Sequence, residues 1–502
     1  MPTYPVPAVP AAYEDAVRAF GRLLGSLSAA QNLTADHAAI ERLIHKDGTE
    51  VLRQLFQGWL NERSAAEPRR DVLGFDDVLR THHRAATRPL ESLFGEVTVA
   101  YDRVAARGTD ALAPLVALLN LHGDRFSFGV RERVVQEAIR GSFDAAVSAI
   151  TTTTGASVSK RQAETVVLAA AVDFDAFYDV ARVVGTSVAA DLMVLTADGK
   201  GIVMRADGLR DATRHAAAMG SHKLAKRLSK GEKKNRKRMA EVAAVYDLTP
   251  SPRTEADILG NLDGMSPAPR PRARNKRVWA SLEKPTSSVI QAMFAEAARR
   301  DPAHARPWVA LVDGNKSQIR EIRAAAKRED VKVTLVLDII HVIEYLWTAA
   351  WDVFSEGNAA AEKWVRKYLT QILRGRASIV SAAIRRVATT KKLAKRGGID
   401  KAAGYLLSNK ELLRYDEYLR AGLPIATGVI EGACRHLVKD RMDITGARWG
   451  LPGAEAILRL RSLHVSGDLP AYWAFHKGEE FVRNHAVSYA DSEDEWLFRE
   501  AA

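Results

Sequence analysis

The stretch LMVLTADGKGIVMR, residues 192–205, opens the part of the chain that decides the fold. Its first apolar run ends at Asp198-Gly199, and a second run, GIVMRADG, covers 201–208. A third run, MAEVAAVYDL, covers 239–248. Short apolar runs bounded by turn residues are typical of buried strands, and a tight glycine-containing link between two of them favours an antiparallel hairpin. The sequence therefore predicts that a sheet opens with three antiparallel strands.

Strands and helices alternate further along the chain. PWVALVDGN at 307–315 and VKVTLVLD at 331–338 have the pattern of buried strands, and the helical patterns SQIREIRAAAKRE and IIHVIEYLWTAAWDVF follow them. This alternation implies parallel pairing in the second half of the sheet. We therefore expect an α/β fold whose mixed five-stranded sheet has the first and fourth strands as neighbours.

Carboxylates occur where these predicted elements end or begin. Asp198 closes the first strand, Asp313 closes the fourth, and Glu431 lies between Gly428 and Gly432 at the predicted start of a helix. Asp338, at the end of the fifth strand, is an alternative second carboxylate. Asp-Gly pairs are also common in ordinary turns. Three carboxylates suit hard cations such as Mg²⁺ or Mn²⁺, and two such ions support phosphodiester chemistry.

The composition favours a polyanionic partner. The 502 residues include 73 Lys and Arg against 61 Asp and Glu, a formal net charge of +12. Nucleic acid is one such partner, although a soluble protein with a basic surface fits the charge equally well. The single cysteine excludes an intramolecular disulfide and a cysteine-based zinc site. No signal peptide or membrane-spanning run is predicted, so we expect a cytoplasmic protein without a membrane partner.

The segment 130–170 predicts a helix, a break, a second helix, a turn at Gly155 and a third helix capped by Ser159. That order suits a helix-turn-helix, in which Lys160, Arg161 and Gln162 would reach base edges in the major groove. An ordinary three-helix bundle fits the pattern equally well.

Further basic residues are predicted to bind DNA phosphates, with a solvated surface as the alternative. They lie in a dense run before the third strand and around the glutamate: Lys230, Lys233, Lys234, Arg236, Lys237, Arg238, Arg435, Lys439, Arg441 and Arg448. Trp449 is predicted either to stack on an unpaired base or to belong to the core. His341 and His436 are predicted to lie behind the metal ligands, and packing is the alternative for His341.

The strings VLTADGKGIVMR, LVDGN, DIIHVIEYLWTAAW and TGVIEGACRHLVKDRMDITGARWG occur in one order over about 190–465. In that order they resemble the ISKra-type bacterial insertion-sequence transposases, which are distantly Mutator-like. The resemblance implies a ribonuclease-H-like catalytic core interrupted by an all-helical insertion, with Asp198, Asp313 and Glu431 as the acidic positions. Family members often carry a Cys-rich ribbon near the N-terminus, and this chain has no such cysteines.

The patterns and the resemblance together predict six regions. They are a helical region 1–85, a DNA-binding region 86–185, the first part of the core 186–354, the all-helical insertion 355–422, the final part of the core 423–465 and a C-terminal tail 466–502. SPAPRPRARNKR at 266–277 is predicted to be an extended, exposed connector.

The resemblance implies a DNA transposase of the Asp-Asp-Glu kind. Such an enzyme binds double-stranded DNA at terminal inverted repeats and at the target, and uses two Mg²⁺ (or Mn²⁺) ions for cleavage and strand transfer. The resemblance also implies a homo-oligomer in the synaptic complex and association with the bacterial nucleoid. Two alternatives stay open: a non-catalytic DNA-binding protein derived from a transposase, and a hydrolytic nuclease with the same core.

Overall fold

The computed structural model describes residues 9–185, 188, 190–219, 232, 235–262, 271–444 and 446–490. The chain divides into two compact units. The terminal unit consists of Met1–Arg182 and Leu469–Ala502, and the central unit of Val183–Asp468. Within the described ranges, no helix combines the length and the apolar character needed to cross a membrane.

The terminal unit consists of helices and two antiparallel strand pairs. Its helices before residue 182 are α1 (Glu14–Leu27), α2 (Ala30–Leu33), α3 (His37–Ala65), α4 (Pro114–Leu118), α5 (Phe128–Arg140), α6 (Phe143–Thr153), α7 (Lys160–Ala169) and α8 (Phe174–Ala176). Its strands are β1 (Val72–Leu73), β2 (Leu79–Arg80), β3 (His82–Ser92) and β4 (Gly95–Ala105), paired β1 with β2 and β3 with β4. The predicted boundary between residues 85 and 86 lies inside β3.

Serine caps explain where α5, α6 and α7 begin. The hydroxyls of Ser127, Ser142 and Ser159 each accept a backbone N–H from the first turn of the helix that follows. Such a cap satisfies one of the donors that a helix start leaves without an intrahelical partner. The predicted order of three helices, with Ser159 as the last cap, is confirmed.

The central unit contains a five-stranded mixed sheet. Its strands are β5 (Leu192–Val203), β6 (Lys237–Leu248), β7 (Arg274–Ser281), β8 (Trp308–Val312) and β9 (Val333–Leu337), in the order β7-β6-β5-β8-β9. β5, β6 and β7 pair antiparallel, whereas β5, β8 and β9 pair in parallel. The mixed sheet is confirmed, and the predicted first strand does lie beside the predicted fourth.

The predicted hairpin within 192–208 is wrong, because residues 192–203 form one strand. β5 pairs with β6 without interruption, from Leu192 opposite Leu248 to Val203 opposite Lys237. Gly201 lies inside the strand, where a Cβ would come 2.9 Å from the Lys237 side chain. The glycine therefore allows a close approach between strands rather than a turn. As a result, Asp198 lies within β5 and not at its end.

The predicted connector at 266–277 is wrong over 274–277, which begin β7; residues 266–270 lie outside the described part. Arg277 is 6% exposed, and its Nη1 donates to Glu296 Oε2 at 2.7 Å. Its guanidinium carbon also lies 4.6 Å from the centre of the Trp279 ring. Because a carboxylate neutralises the arginine, a charged residue can occupy a buried strand position.

Helices surround the sheet and continue beyond it. Those of the central unit are α9 (Asp211–Ala218), α10 (Glu255–Leu262), α11 (Thr286–Arg300), α12 (Lys316–Arg328), α13 (Ile339–Val353), α14 (Ala359–Leu373), α15 (Ala377–Thr390), α16 (Gly397–Ser408), α17 (Tyr415–Arg420), α18 (Gly428–Ala433), α19 (Asp440–Met442) and α20 (Leu451–Ser466). A π-helical turn, Cys434–Lys439, joins α18 to α19. Residues 355–422, all of them described, are helical without a strand, as predicted. The last helix, α21 (Leu469–Asn484), belongs to the terminal unit.

Candidate active site

Three aspartates lie at corresponding positions just beyond the parallel pairing of β5, β8 and β9. β5 and β8 pair in parallel as far as Thr196 and Leu311, and β8 and β9 pair as far as Val312 and Leu337. Continuing these registers, by two residues and by one, aligns three aspartate positions. They form the acidic row: Asp198, Asp313 and Asp338.

Asp338 is the most buried member of the acidic row, with 0% exposure. Its Oδ1 accepts the Ile340 N–H at 2.9 Å and so caps α13, while its Oδ2 accepts the Thr427 hydroxyl. Burial raises the pKa of Asp338, and the hydrogen bonds from Thr427 and Ile340 partly offset that effect. Both oxygens of this carboxylate therefore hold local structure.

Asp198 and Asp313 are half-buried and more open to solvent than Asp338. Asp313 Oδ1 accepts the Asn315 N–H at 2.7 Å, in the turn that leads into α12. Asp198 Oδ1 accepts the Gly199 N–H at 2.6 Å. Partly solvated carboxylates at neighbouring strand positions are suitable oxygen ligands for a hard cation.

Two residues that flank Glu431, at the two ends of α18, form hydrogen bonds to the acidic row. Thr427, four residues before the glutamate, donates its hydroxyl to Asp338. Cys434, three residues after the glutamate, donates its thiol to Asp198 Oδ2 at 3.2 Å. Positions three and four residues apart share one face of a helix. The segment that bears Glu431, whose own side chain is exposed, is therefore bonded at both ends to the outer two members of the row.

The charges that act on Glu431 include two members of the row. Its pKa is raised, first by burial and then by the negative charge of Asp338. Asp198 raises the pKa further, whereas His341 lowers it. The place of His341 behind the carboxylates stays a prediction, and its Nδ1 lies 3.1 Å from Glu344 Oε2. A glutamate among carboxylates is stabilised in its charged form by a bound cation.

Tyr405 of α16 fixes the turn that follows Asp313. Its hydroxyl donates to the main-chain oxygen of Asp313 at 2.8 Å, and its ring stacks on Tyr345 with a centroid distance of 3.9 Å. Gly314 has a φ of +93°, and a Cβ there would lie 3.0 Å from the Tyr405 ring. Both facts require glycine after Asp313. The Asp-Gly pair therefore serves the close approach of α16 as well as the turn.

The carboxylate oxygens of Asp198, Asp313 and Glu431 do not all lie within 4.8 Å of one another. Among the described residues, only Asp173, His476 and Glu480 of the terminal unit form a group of that kind. Arg483 pairs with both of these carboxylates, and His122 Nε2 lies 2.9 Å from Glu480 Oε2. These cations already neutralise the buried acids, so an ion-pair network accounts for the group without a metal.

Four of the residues predicted to serve the site have other surroundings. Arg441 and Trp449 are buried, the guanidinium 4.8 Å from the ring centre, and the Trp449 Nε1–H donates to a main-chain oxygen at 3.0 Å. Burial lowers the pKa of Arg441 to about 10. Arg238 donates to the main-chain oxygens of Leu282 and Gly208. His436 is exposed and pairs with Asp440 at 2.9 Å. Trp449 therefore belongs to the core, which was one of its two predicted roles. Arg441 is not available for phosphate contact, and His436 does not lie behind the metal ligands.

The other predicted DNA-binding residues differ in what engages them. Those with exposed or half-buried side chains are Arg161, Arg236, Lys237, Arg435, Lys439 and Arg448. Lys160 pairs with Asp144 at 2.8 Å, and the Gln162 side chain accepts the Ser159 N–H at 2.9 Å in a capping box. Lys230, Lys233 and Lys234 lie outside the described residues. Of the three residues predicted to contact bases from the start of α7, only Arg161 has a side chain with no partner assigned among the described residues.

Sequence reasoning missed the residues that hold the site together. For Thr427 and Cys434 a signal existed, since both lie at helical spacing from Glu431. For Tyr405 no signal existed, because it lies 92 residues from Asp313 in a region whose pattern is only helical.

Comparison with known proteins adds no family to these observations. No protein-family model matches the chain, and no curated protein matches it. The acidic row and the placement of Glu431 are therefore the features on which a function is proposed.

Proposed function

We propose that the chain is a DNA transposase of the Asp-Asp-Glu kind, with the central unit as a ribonuclease-H-like core and residues 355–422 as its helical insertion. One observation carries the proposal. The helix that bears Glu431 is fastened to Asp338 on one side and to Asp198 on the other. This arrangement supports the proposal, because the residues that flank a glutamate from a distant segment are bonded to two aspartates of the row.

Asp198, Asp313 and Glu431 would hold two divalent ions, Mg²⁺ or Mn²⁺. The donor set fits, because all three side chains offer only carboxylate oxygens, which these ions prefer. Bound there, the pair of ions would activate the attacking oxygen and stabilise the leaving oxygen. Their binding would also draw the carboxylates closer together than they lie without cations. Asp338 positions α13 and Thr427 and is not itself a ligand in this proposal.

The partner in this proposal is double-stranded DNA, first at the element's terminal inverted repeats and then at the target. The exposed cations near Glu431, Arg435 and Lys439, would contact phosphates beside the scissile bond. The freed 3′ hydroxyl would attack the target strand. Synapsis of two ends calls for a homo-oligomer, and the work would take place on DNA at the bacterial nucleoid.

The test is a cleavage and strand-transfer assay with purified protein, DNA that carries the element ends, and Mg²⁺. We expect joined products from the native chain and none from Asp198→Asn, Asp313→Asn or Glu431→Gln. Each of these variants removes a charge with little change of shape, so each should still bind the DNA. Asp440→Asn, on an exposed neighbouring carboxylate, is the matched control and should keep full activity.

The outcomes separate the candidates. Cleavage without joining would identify a hydrolytic nuclease. Tight binding without cleavage in Mg²⁺ or Mn²⁺ would identify a non-catalytic DNA-binding protein. Undiminished joining by the Glu431→Gln variant would show that the assigned site is the wrong one.

A further inference from the structure

A basic cavity of about 450 Å³ lies in the central unit between α12 and the end of α16. Its ionisable lining residues are four cations and one carboxylate: Lys316, Arg320, Arg323, Lys410 and Glu411. The lining therefore carries a net positive charge of three at neutral pH. A concave surface with one sign of charge concentrates ions of the opposite sign.

Both walls of this cavity are attached to Asp313. On one wall, α12 begins at Lys316, three residues after the aspartate. On the other, Tyr405 of α16 donates its hydroxyl to the main-chain oxygen of Asp313 at 2.8 Å. Leu407, two residues further along α16, lines the cavity. Both elements that line the cavity are thus linked to Asp313 of the acidic row.

The cations of α12 are arranged to face the cavity together. Lys316, Arg320 and Arg323 are spaced by four and three residues and so share one face of the helix. The opposite face packs Ile322 and Ala325, each 1% exposed, in the core. Arg320 has an exposed pair with Glu321 at 3.3 Å. Exposed pairs of this kind are weak, so a phosphate can take the place of the carboxylate.

We propose that this cavity binds backbone phosphates of the DNA strand that enters the acidic row. The identity of the anion rests on the proposed function, whereas the cavity and its charge do not. Guanidinium groups suit phosphate oxygens because they present several donors in one plane. Three cations on one helix face, next to a carboxylate ligand set, would hold the strand in register for cleavage.

The test measures how DNA affinity depends on salt. Anisotropy of a fluorescein-labelled duplex of arbitrary sequence is recorded over a range of KCl concentrations without divalent metal, for the native chain and for Lys316→Ala/Arg320→Ala/Arg323→Ala. Each phosphate contact contributes about 0.9 to the slope of log affinity against log salt. We expect the triple variant to lose roughly three from that slope. Circular dichroism checks that the variant is folded.

The matched control is Arg42→Ala/Arg328→Ala/Lys332→Ala. It removes the same charge from exposed positions outside the cavity, none of which shares the α12 face of Lys316, Arg320 and Arg323. Its slope should stay that of the native chain. Equal slopes for the two triple variants, or no binding of DNA by the native chain, would overturn the assignment. Because no cleavage is measured, an inactive chain with the expected slopes would contradict the proposed function and support this cavity.

Discussion

Asp313 and Asp338 are neighbours in the acidic row, but their carboxylates have different roles: Asp338 holds local structure, and Asp313 is a proposed metal ligand. We expect Asp338→Ala to lower the free energy of unfolding by about 2–4 kcal/mol, because it removes a helix cap and leaves the Thr427 hydroxyl without its acceptor. Asp313→Asn should change stability by less than about 1 kcal/mol while abolishing metal-dependent cleavage. Urea unfolding and the cleavage assay measure the two effects. Equal destabilisation by both changes would contradict the distinction.

The raised pKa of Glu431 makes Mg²⁺ binding depend on pH. Burial and the charge of Asp338 lift the pKa of Glu431 above its ordinary value of 4.5. Protons therefore compete with the cation over a range that extends above pH 4.5, and metal binding must displace them. We expect the Mg²⁺ affinity, measured by calorimetry, to rise with pH through this range and then level off. Glu431→Gln should weaken binding and remove this rise. A rise of the same size in that variant would exclude Glu431 as its source.

The carboxylates themselves were predictable from sequence because each one interrupts an apolar run or lies between glycines. Their partners were harder to identify. Thr427 and Cys434 act through helical spacing around Glu431, which becomes meaningful only once the row they contact is known. For Trp449 the sequence left base stacking and core packing open. The ring is buried, and the Arg441 guanidinium lies against it.

Among the elements, the helical region 355–422 reaches the sheet through tyrosine hydroxyls. Tyr405, Tyr415 and Tyr418 donate to main-chain oxygens of Asp313, Leu337 and Leu335, at the ends of β8 and in β9. Each hydroxyl satisfies a carbonyl that the sheet leaves without a strand partner. The region therefore stabilises the ends of β8 and β9, which lead into Asp313 and Asp338 of the acidic row.

Tyr405→Phe tests this connection. The change keeps the stacked ring and removes one hydrogen bond, so we expect a loss of about 1 kcal/mol in stability. Because the Asp313 carbonyl loses its donor, the cleavage rate should fall while DNA affinity stays constant. Tyr345→Phe, which changes the other ring of the stack, is the control and should leave the rate unchanged. Equal rates for both variants would mean that Tyr405 only packs.

Strand prediction failed where charge or glycine concealed a buried strand. The sequence predicts a connector in place of β7, because Arg274, Lys276 and Arg277 conceal the alternation of apolar and polar residues. In the structure the buried Glu296, 0% exposed, accepts a hydrogen bond from Arg277 and so allows that arginine to be buried. β5 was split at Gly199 and Gly201, since glycine in a strand looks like a turn until its neighbours are known. The division of β5 adds one strand to the prediction and the missed β7 removes one. The predicted number of strands in the sheet therefore equals the observed five.

The two units of the chain are expected to be separable. Residues 183–468 contain the complete sheet, the acidic row, α18 and the tyrosine contacts, so a fragment of this range should fold without the terminal unit. We expect one cooperative urea transition by circular dichroism, and Mg²⁺ binding that Asp198→Asn abolishes. A fragment that aggregates or unfolds without cooperativity would show that the sheet depends on the terminal unit.

The terminal unit combines two distant parts of the chain, the residues up to Arg182 and those from Leu469 onward, which include α21. During translation its first 182 residues leave the ribosome long before Leu469 is made. At about 5–20 residues per second, the wait is on the order of tens of seconds. His476, Glu480 and Arg483 of α21 form the ion-pair network with Asp173 and His122. Until they are made, Asp173 and His122 lack these partners, so we expect the first 182 residues to complete their fold only after α21 has been synthesised.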